Sequence, residues 1–160
     1  EVERWARPFA VLLQRTRSAY EPFAIDTLAA QRELVRWYVE RGHITQAVTL
    51  AREWLISWSG QQLGNTHITD RDGVENAINQ AALRKRGKVT ADTSPLLPRL
   101  IDLPEADVLI NAWDTINDFR NDVAHCGMRE QPRSVASIVQ SAMSLLERLN
   151  VLSLPQEVTR

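Results

Sequence analysis

Apolar side chains recur at intervals of three and four residues along almost the whole chain, and this periodicity constrains the fold more than any other feature. Such spacing gathers apolar groups on one face of an α-helix. Alternating apolar and polar runs bounded by turn residues, which would predict strands, do not occur. The sequence therefore predicts an all-α protein, a bundle of about five to six helices.

Turn and capping signals divide this pattern into segments. The first helix is predicted over residues 2 to 20, with an alternative start near Arg7 that puts Pro8 in its first turn. The second is predicted from an N-cap at Asp26 to Gly42. The third starts at Thr45, so the short intervening connection predicts an antiparallel hairpin. A fourth helix is expected from Thr69 to about Gly87.

The C-terminal half contains a predicted loop and two further helices. Residues 87 to 104 hold three prolines, which favour a loop. A fifth helix is expected over residues 105 to 125, ending at Gly127, and a sixth from Ser134. At 160 residues, the sequence predicts a single domain over residues 1 to 160.

Composition excludes several classes of protein. No apolar run approaches the roughly 20 residues of a membrane-spanning helix, so no membrane partner is expected. Cys126 is the one cysteine, which excludes an intrachain disulfide and favours a reducing cytoplasm. The helical pattern starts at once from Glu1 rather than from a methionine, so we expect a piece of a longer polypeptide.

Net charge is −1, so any nucleic-acid binding must come from a local patch. One candidate is a basic run near the end of the fourth helix. It could track an RNA backbone or form a solvated helix terminus. Its members are Arg84, Lys85, Arg86 and Lys88, with Arg99 further along.

The predicted packing residues of the fifth helix are Leu109, Trp113, Ile116 and Val123. The end of this helix carries more polar residues than packing requires. Arg120 and His125 are five residues apart, about 140° on a regular helix, and they can converge on one target if the helix ends beside His125. A guanidinium binds phosphate oxygens with a fixed fork of donors, and an imidazole moves protons near neutral pH. These two groups suit metal-free RNA cleavage. Asn121 and Asp122 are supporting candidates, either orienting the histidine or lying exposed as capping residues.

A metal site is the competing interpretation of this helix. Asp114, Asp118, Asp122 and His125 fall close to one helical face. No second cluster of histidine, cysteine and glutamate completes a coordination shell, and a solvated acidic face explains the stripe. We therefore expect no metal and no other cofactor.

Residues 120 to 125, Arg-Asn-Asp-Val-Ala-His, resemble the signature of HEPN ribonucleases, an arginine followed after four to six residues by a histidine at the end of a late bundle helix. Residues 33 to 53 resemble the helical hairpin in HEPN regions of type III CRISPR effectors. The resemblance implies a dimeric, metal-independent endoribonuclease of antiviral defence that leaves a 2′,3′-cyclic phosphate. It also implies an N-terminal Rossmann-like sensor of cyclic oligoadenylate, for which these residues show no parallel sheet or glycine-rich loop.

Two other functions stay open at this level. Trp37, Gly42, Ala47 and Leu50 also suit a tetratricopeptide-like hairpin, which would make the chain a protein-binding scaffold. Such solenoids need about three hairpins, and one is present. The HEPN fold could also be of the antitoxin-linked or nucleotide-binding kind.

Overall fold

A computed structural model of the chain describes residues 15–16, 18, 27–64, 70–88, 94–124 and 133–155, except for the side chains of residues 123 and 124. Throughout these ranges the regular secondary structure is helical and no strand is present, which confirms the all-α class. The elements are α1 (Leu28–Glu40), α2 (Ile44–Gln62), α3 (Arg71–Lys85), α4 (Leu97–Ile101), α5 (Ala106–Ala124) and α6 (Val135–Val151).

Helix α2 lies at the centre of the bundle. It contacts α1, α3, α5 and α6. Contacts of α1 with α6 and of α6 with α5 complete a ring of four helices. Helix α3 contacts both α2 and α5, and α4 contacts α3 and α5. Among these helices none combines the length and the apolar content that crossing a bilayer requires.

The predicted hairpin is confirmed as α1 and α2, and both ends of α1 have specific caps. The N-cap is Thr27, whose Oγ1 accepts a hydrogen bond from the Ala30 N–H at 3.1 Å, so the prediction of Asp26 was wrong by one residue. Gly42 ends the helix with φ +72, a left-handed conformation that glycine adopts without a steric penalty. The hairpin packs against α5 and α6.

The Pro-rich segment differs from its prediction. Residues 97 to 101 form the short helix α4, where a loop was expected from 87 to 104. Leu97 and Leu100 are fully buried, and α4 contacts α3 and α5. Pro98 is in the first turn, where its missing N–H costs no hydrogen bond. Burial of the two leucines thus outweighs the propensity of the prolines to favour a loop.

The remaining boundaries follow the sequence signals closely. Helix α3 ends before Gly87, which has φ +71, as expected. Helix α5 begins one residue after its predicted start at residue 105. Helix α6 begins at Val135, one residue after its predicted start at Ser134, which is its N-cap and accepts a hydrogen bond from the Ser137 N–H through its Oγ. Of the first predicted helix, only residues 15, 16 and 18 belong to the described part, and they are helical. Thr69, the predicted start of α3, lies outside it.

A fully buried tryptophan of α2 generates a stability prediction. Trp58 is 0% exposed and its Nε1 donates to the Ser153 carbonyl at 2.8 Å. We expect Trp58→Ala to lower the free energy of unfolding by about 3–5 kcal/mol because it leaves a large cavity. Trp58→Phe should cost about 1–2 kcal/mol, through the lost hydrogen bond and some lost volume.

Urea unfolding followed by far-UV circular dichroism measures both changes. Trp37→Phe is the control, since Trp37 is only partly buried and lies outside the core. It should cost less than about 1 kcal/mol. If Trp58→Ala and Trp37→Phe lowered the free energy of unfolding equally, the central position of α2 in the bundle would be contradicted.

Candidate functional site

The C-terminal half of α5 is held against the core by apolar side chains. Leu109, Trp113 and Ile116 are buried, as the sequence predicted, and Phe119 is 2% exposed. The fourth predicted packing residue, Val123, has a side chain outside the described part of the chain. Phe119 extends the buried stripe to the residue immediately before Arg120. The candidate motif therefore starts on a turn that is anchored in the core.

Arg120 and Asn121 are exposed on this anchored turn. Successive helical residues are about 100° apart, so both side chains leave the helix on other sides than Phe119. Helix α5 continues through Ala124, which covers four of the five steps from Arg120 to His125. His125, Cys126 and Gly127 lie outside the described residues. The structure therefore places the arginine of the candidate pair in solvent and leaves the histidine's position a sequence prediction.

Asp122 is in a different environment from Arg120 and Asn121. Its side chain is 11% exposed, and its Oδ2 accepts a hydrogen bond from Arg133 Nη1 at 3.0 Å. Asp122 thus joins α5 to the start of α6 and is not an exposed capping residue. Arg133 follows the Arg120 to His125 motif in the sequence. No local signal identifies it as the partner of Asp122, because the two are eleven positions apart.

The acidic stripe of α5 is divided among separate partners. Asp114 forms an ion pair with Arg86 of α3 at 2.7 Å, and Asp122 pairs with Arg133. Asp118 is exposed. Within the described ranges no three histidine, cysteine, aspartate or glutamate side chains are grouped as a metal site requires.

The basic run at the end of α3 is exposed, as a nucleic-acid surface requires. Arg84, Lys85, Arg86 and Lys88 are all accessible to solvent. However, Lys85 Nζ lies 2.7 Å from Asp107 and Arg86 Nη2 lies 2.7 Å from Asp114, both on α5. Arg99 donates instead to the Leu63 carbonyl at the end of α2. Ion pairs with α5 therefore offset the positive charges of Lys85 and Arg86.

Sequence reasoning missed a charged network between α2, α3 and α5. Arg52 bridges Glu53 and Glu75, and Glu53 also pairs with Arg71. The Arg52 guanidinium lies over the Trp113 ring, 5.7 Å from its centroid. Burial favours the neutral form of Arg52, but the hydrogen bonds and negative charges of Glu75 and Glu53 outweigh it and raise the pKa of Arg52 above its usual range. Two cations and two anions compensate one another, so the network joins helices and offers no unpaired charge to a ligand.

An aromatic cluster lies at the turn between α1 and α2. The rings of Trp37 and His43 are stacked with centroids 6.3 Å apart, and the Arg41 guanidinium lies 4.1 Å from the Trp37 ring centroid. Trp54, Trp58 and Trp113 are core residues. Trp5 and His67 lie outside the described residues.

No protein-family model, curated protein or solved structure matches this chain.

The paired basic run generates a binding prediction. Asp114→Asn should free Arg86 from its carboxylate and so strengthen single-stranded RNA binding if the run contacts the phosphate backbone. Each added phosphate contact steepens the plot of log affinity against log salt by about 0.7. Fluorescence anisotropy with a labelled RNA, measured over a range of salt concentrations, checks both quantities.

Asp118→Asn is the matched control, because it removes the same charge from an exposed position one turn further along α5. We expect it to change affinity less than Asp114→Asn. Equal effects of the two variants would mean that only net charge matters and would remove the basic run from the RNA-binding surface.

Proposed function

We propose that this chain is a metal-independent endoribonuclease of the HEPN type that cleaves single-stranded RNA, with Arg120 and His125 as its catalytic pair. One observation carries the proposal. Arg120 is exposed on a turn of α5 that buried Phe119 and the Asp122–Arg133 ion pair hold in place. A catalytic guanidinium must reach a phosphate while its backbone stays in position, and Arg120 meets both needs.

The chemistry uses groups that RNA and this motif supply. The 2′-hydroxyl oxygen attacks the adjacent phosphorus, and the bond from phosphorus to the 5′-oxygen breaks. A proton leaves the 2′-hydroxyl and another reaches the departing 5′-oxygen, so the products are a 2′,3′-cyclic phosphate and a 5′-hydroxyl. His125 exchanges these protons or positions the phosphate, and Arg120 stabilises the charge that develops on the phosphoryl oxygens.

Substrate choice follows from this mechanism. Attack by the 2′-hydroxyl restricts the reaction to RNA, since DNA lacks this group. Asn121 is exposed beside Arg120 and can donate a hydrogen bond to the substrate. The basic run of Arg84, Lys85, Arg86 and Lys88 extends the positive surface on α3, which contacts α5. Regulation by cyclic oligoadenylate, in CRISPR antiviral defence, acts through a sensor domain outside these residues.

A homodimer completes the proposed site. One arginine and one histidine supply few groups for phosphoryl transfer, and a second copy of the motif would double them. The outer face of α6 supports a protein contact, because residues 135 to 146 include no charged side chain and Val135 and Met143 are 77% and 47% exposed. Exposed apolar side chains gathered on one helix are typical of interaction surfaces. The α6 face begins next to Arg133 and hence next to the end of α5.

The first functional prediction is cleavage of single-stranded RNA in the presence of EDTA. Arg120→Ala and His125→Ala should each lower the rate by about 10²-fold or more, because each removes charge stabilisation or proton transfer. Helical content should stay intact in Arg120→Ala, since this side chain is exposed. Product analysis should find a 2′,3′-cyclic phosphate.

Arg41→Ala is the control, an exposed arginine at the turn between α1 and α2. It should leave the cleavage rate unchanged. Activity that disappears in EDTA, or that survives in both motif variants, would contradict the proposal.

The second functional prediction concerns the shared site. Wild-type chain is mixed with an excess of the Arg120→Ala, His125→Ala double variant and subunits are allowed to exchange. Activity should fall below the value set by dilution, because mixed dimers hold an incomplete site. Activity that follows the wild-type concentration alone, while exchange is shown by a mass label, would mean that each protomer has its own complete site.

A further inference from the structure

Arg133 connects the end of α5 to the first turns of α6 through several contacts. Its Nη1 donates to Asp122 Oδ2 at 3.0 Å, and its Nη2 donates to the Ser137 carbonyl at 3.2 Å and to Ser141 Oγ. The guanidinium also lies over the Phe119 ring, 5.5 Å from its centroid. The Arg133 side chain therefore hydrogen-bonds to both α5 and α6, beside the candidate motif on α5.

The two α5 residues that Arg133 contacts flank the exposed candidate residues in the sequence. Phe119 and Asp122 are three residues apart and share one face of the helix. Arg120 and Asn121 lie between them in the sequence and are exposed. His125 follows Asp122 by three positions. The turn that Arg133 holds is thus the turn that carries Arg120.

From these contacts we propose that Arg133 is a positioning residue for RNA cleavage, acting through Asp122 to hold the last turn of α5 and with it Arg120. This inference rests on the proposed function. Both terminal nitrogens of Arg133 already donate to protein oxygens, and one face of its guanidinium covers Phe119. Arg133 therefore acts on the protein and does not bind the phosphate.

Burial makes the loss of one partner from this ion pair more costly than the loss of one partner from an exposed surface pair. The side chains of Arg133 and Asp122 are 27% and 11% exposed. Exposed pairs contribute little because water and salt screen them, whereas removal of one partner from a half-buried pair leaves the other poorly solvated. Replacement of either Arg133 or Asp122 should therefore loosen the end of α5, and replacement of both should have no larger effect than replacement of one.

The experiment compares Asp122→Asn, Arg133→Gln and the double variant with the wild-type chain. Each single variant should lower kcat by about tenfold or more with little change in KM, since misplacement of a catalytic group slows the chemical step. The double variant should be no slower than either single one. Exchanging the charges, with Asp122→Arg and Arg133→Asp together, should restore part of kcat. Amide hydrogen exchange should quicken in residues 119 to 124 of both single variants.

Arg148→Gln is the matched control. Arg148 is also on α6 and also bonds to α5, through the Asn111 carbonyl and Thr115 Oγ1, but at positions away from the motif. It should lower the unfolding midpoint while kcat and amide exchange over residues 119 to 124 stay unchanged. Multiplicative losses in the double variant would show that Arg133 does not act through Asp122 and would overturn the inference. A raised KM with unchanged kcat in Arg133→Gln would make Arg133 a direct RNA contact and would also overturn it.

Arg133→Lys is included in case Arg133→Gln fails to fold, since it keeps the charge and loses the paired donors. It should show a smaller loss of kcat in the same direction. Amide exchange and unfolding need no RNA. If the wild-type chain cleaves no RNA, the proposed function fails, whereas unchanged exchange over residues 119 to 124 in an active enzyme overturns only the role of Arg133.

Discussion

Burial of α2 on nearly every side is the constraint on which the rest of the structure depends. Trp54, Leu55, Ile56 and Trp58 are each at most 3% exposed, although consecutive residues of a helix point in different directions. Such a helix cannot be covered by one neighbour, and α1, α3, α5 and α6 all contact it. Removal of these large side chains from water stabilises the packing of α2 against its four neighbours.

The buried tryptophans also determine how the ends of the bundle meet. Burial of an indole N–H without a hydrogen-bond partner costs free energy. The indole N–H groups of Trp54 and Trp58 each donate to a backbone carbonyl. Trp54 Nε1 donates to Leu28 at the start of α1, and Trp58 Nε1 donates to Ser153 after α6. Arg32 then donates to the Leu149 and Leu152 carbonyls, which α6 itself leaves unpaired. Packing and hydrogen bonding therefore fix the same arrangement.

Among the described residues, arginines form most of the polar connections between helices. Arg52 and Arg86 join α3 to its neighbours, and Arg133 and Arg148 join α6 to α5. Arg120 is exposed on a turn whose inner face is anchored by Phe119 and Asp122. The fold thus provides support for a guanidinium that faces solvent. This support is the physical basis of the proposed RNA cleavage and of the proposed role of Arg133.

The sequence by itself determined the all-α class, the α1–α2 hairpin, the starts of α5 and α6, and the burial of Leu109, Trp113 and Ile116. These features depend on local periodicity and on caps such as Gly42 and Ser134, which act within one or two helical turns. The tertiary structure decided the helix at Leu97 and Leu100, the Arg52 network and the pairing of Asp122 with Arg133. Each of these depends on contacts between residues of different helices, and no local pattern reports which helices will be neighbours. The sequence could therefore nominate Arg120 for the candidate site, while only the packing of α6 against α5 showed what holds its turn in place.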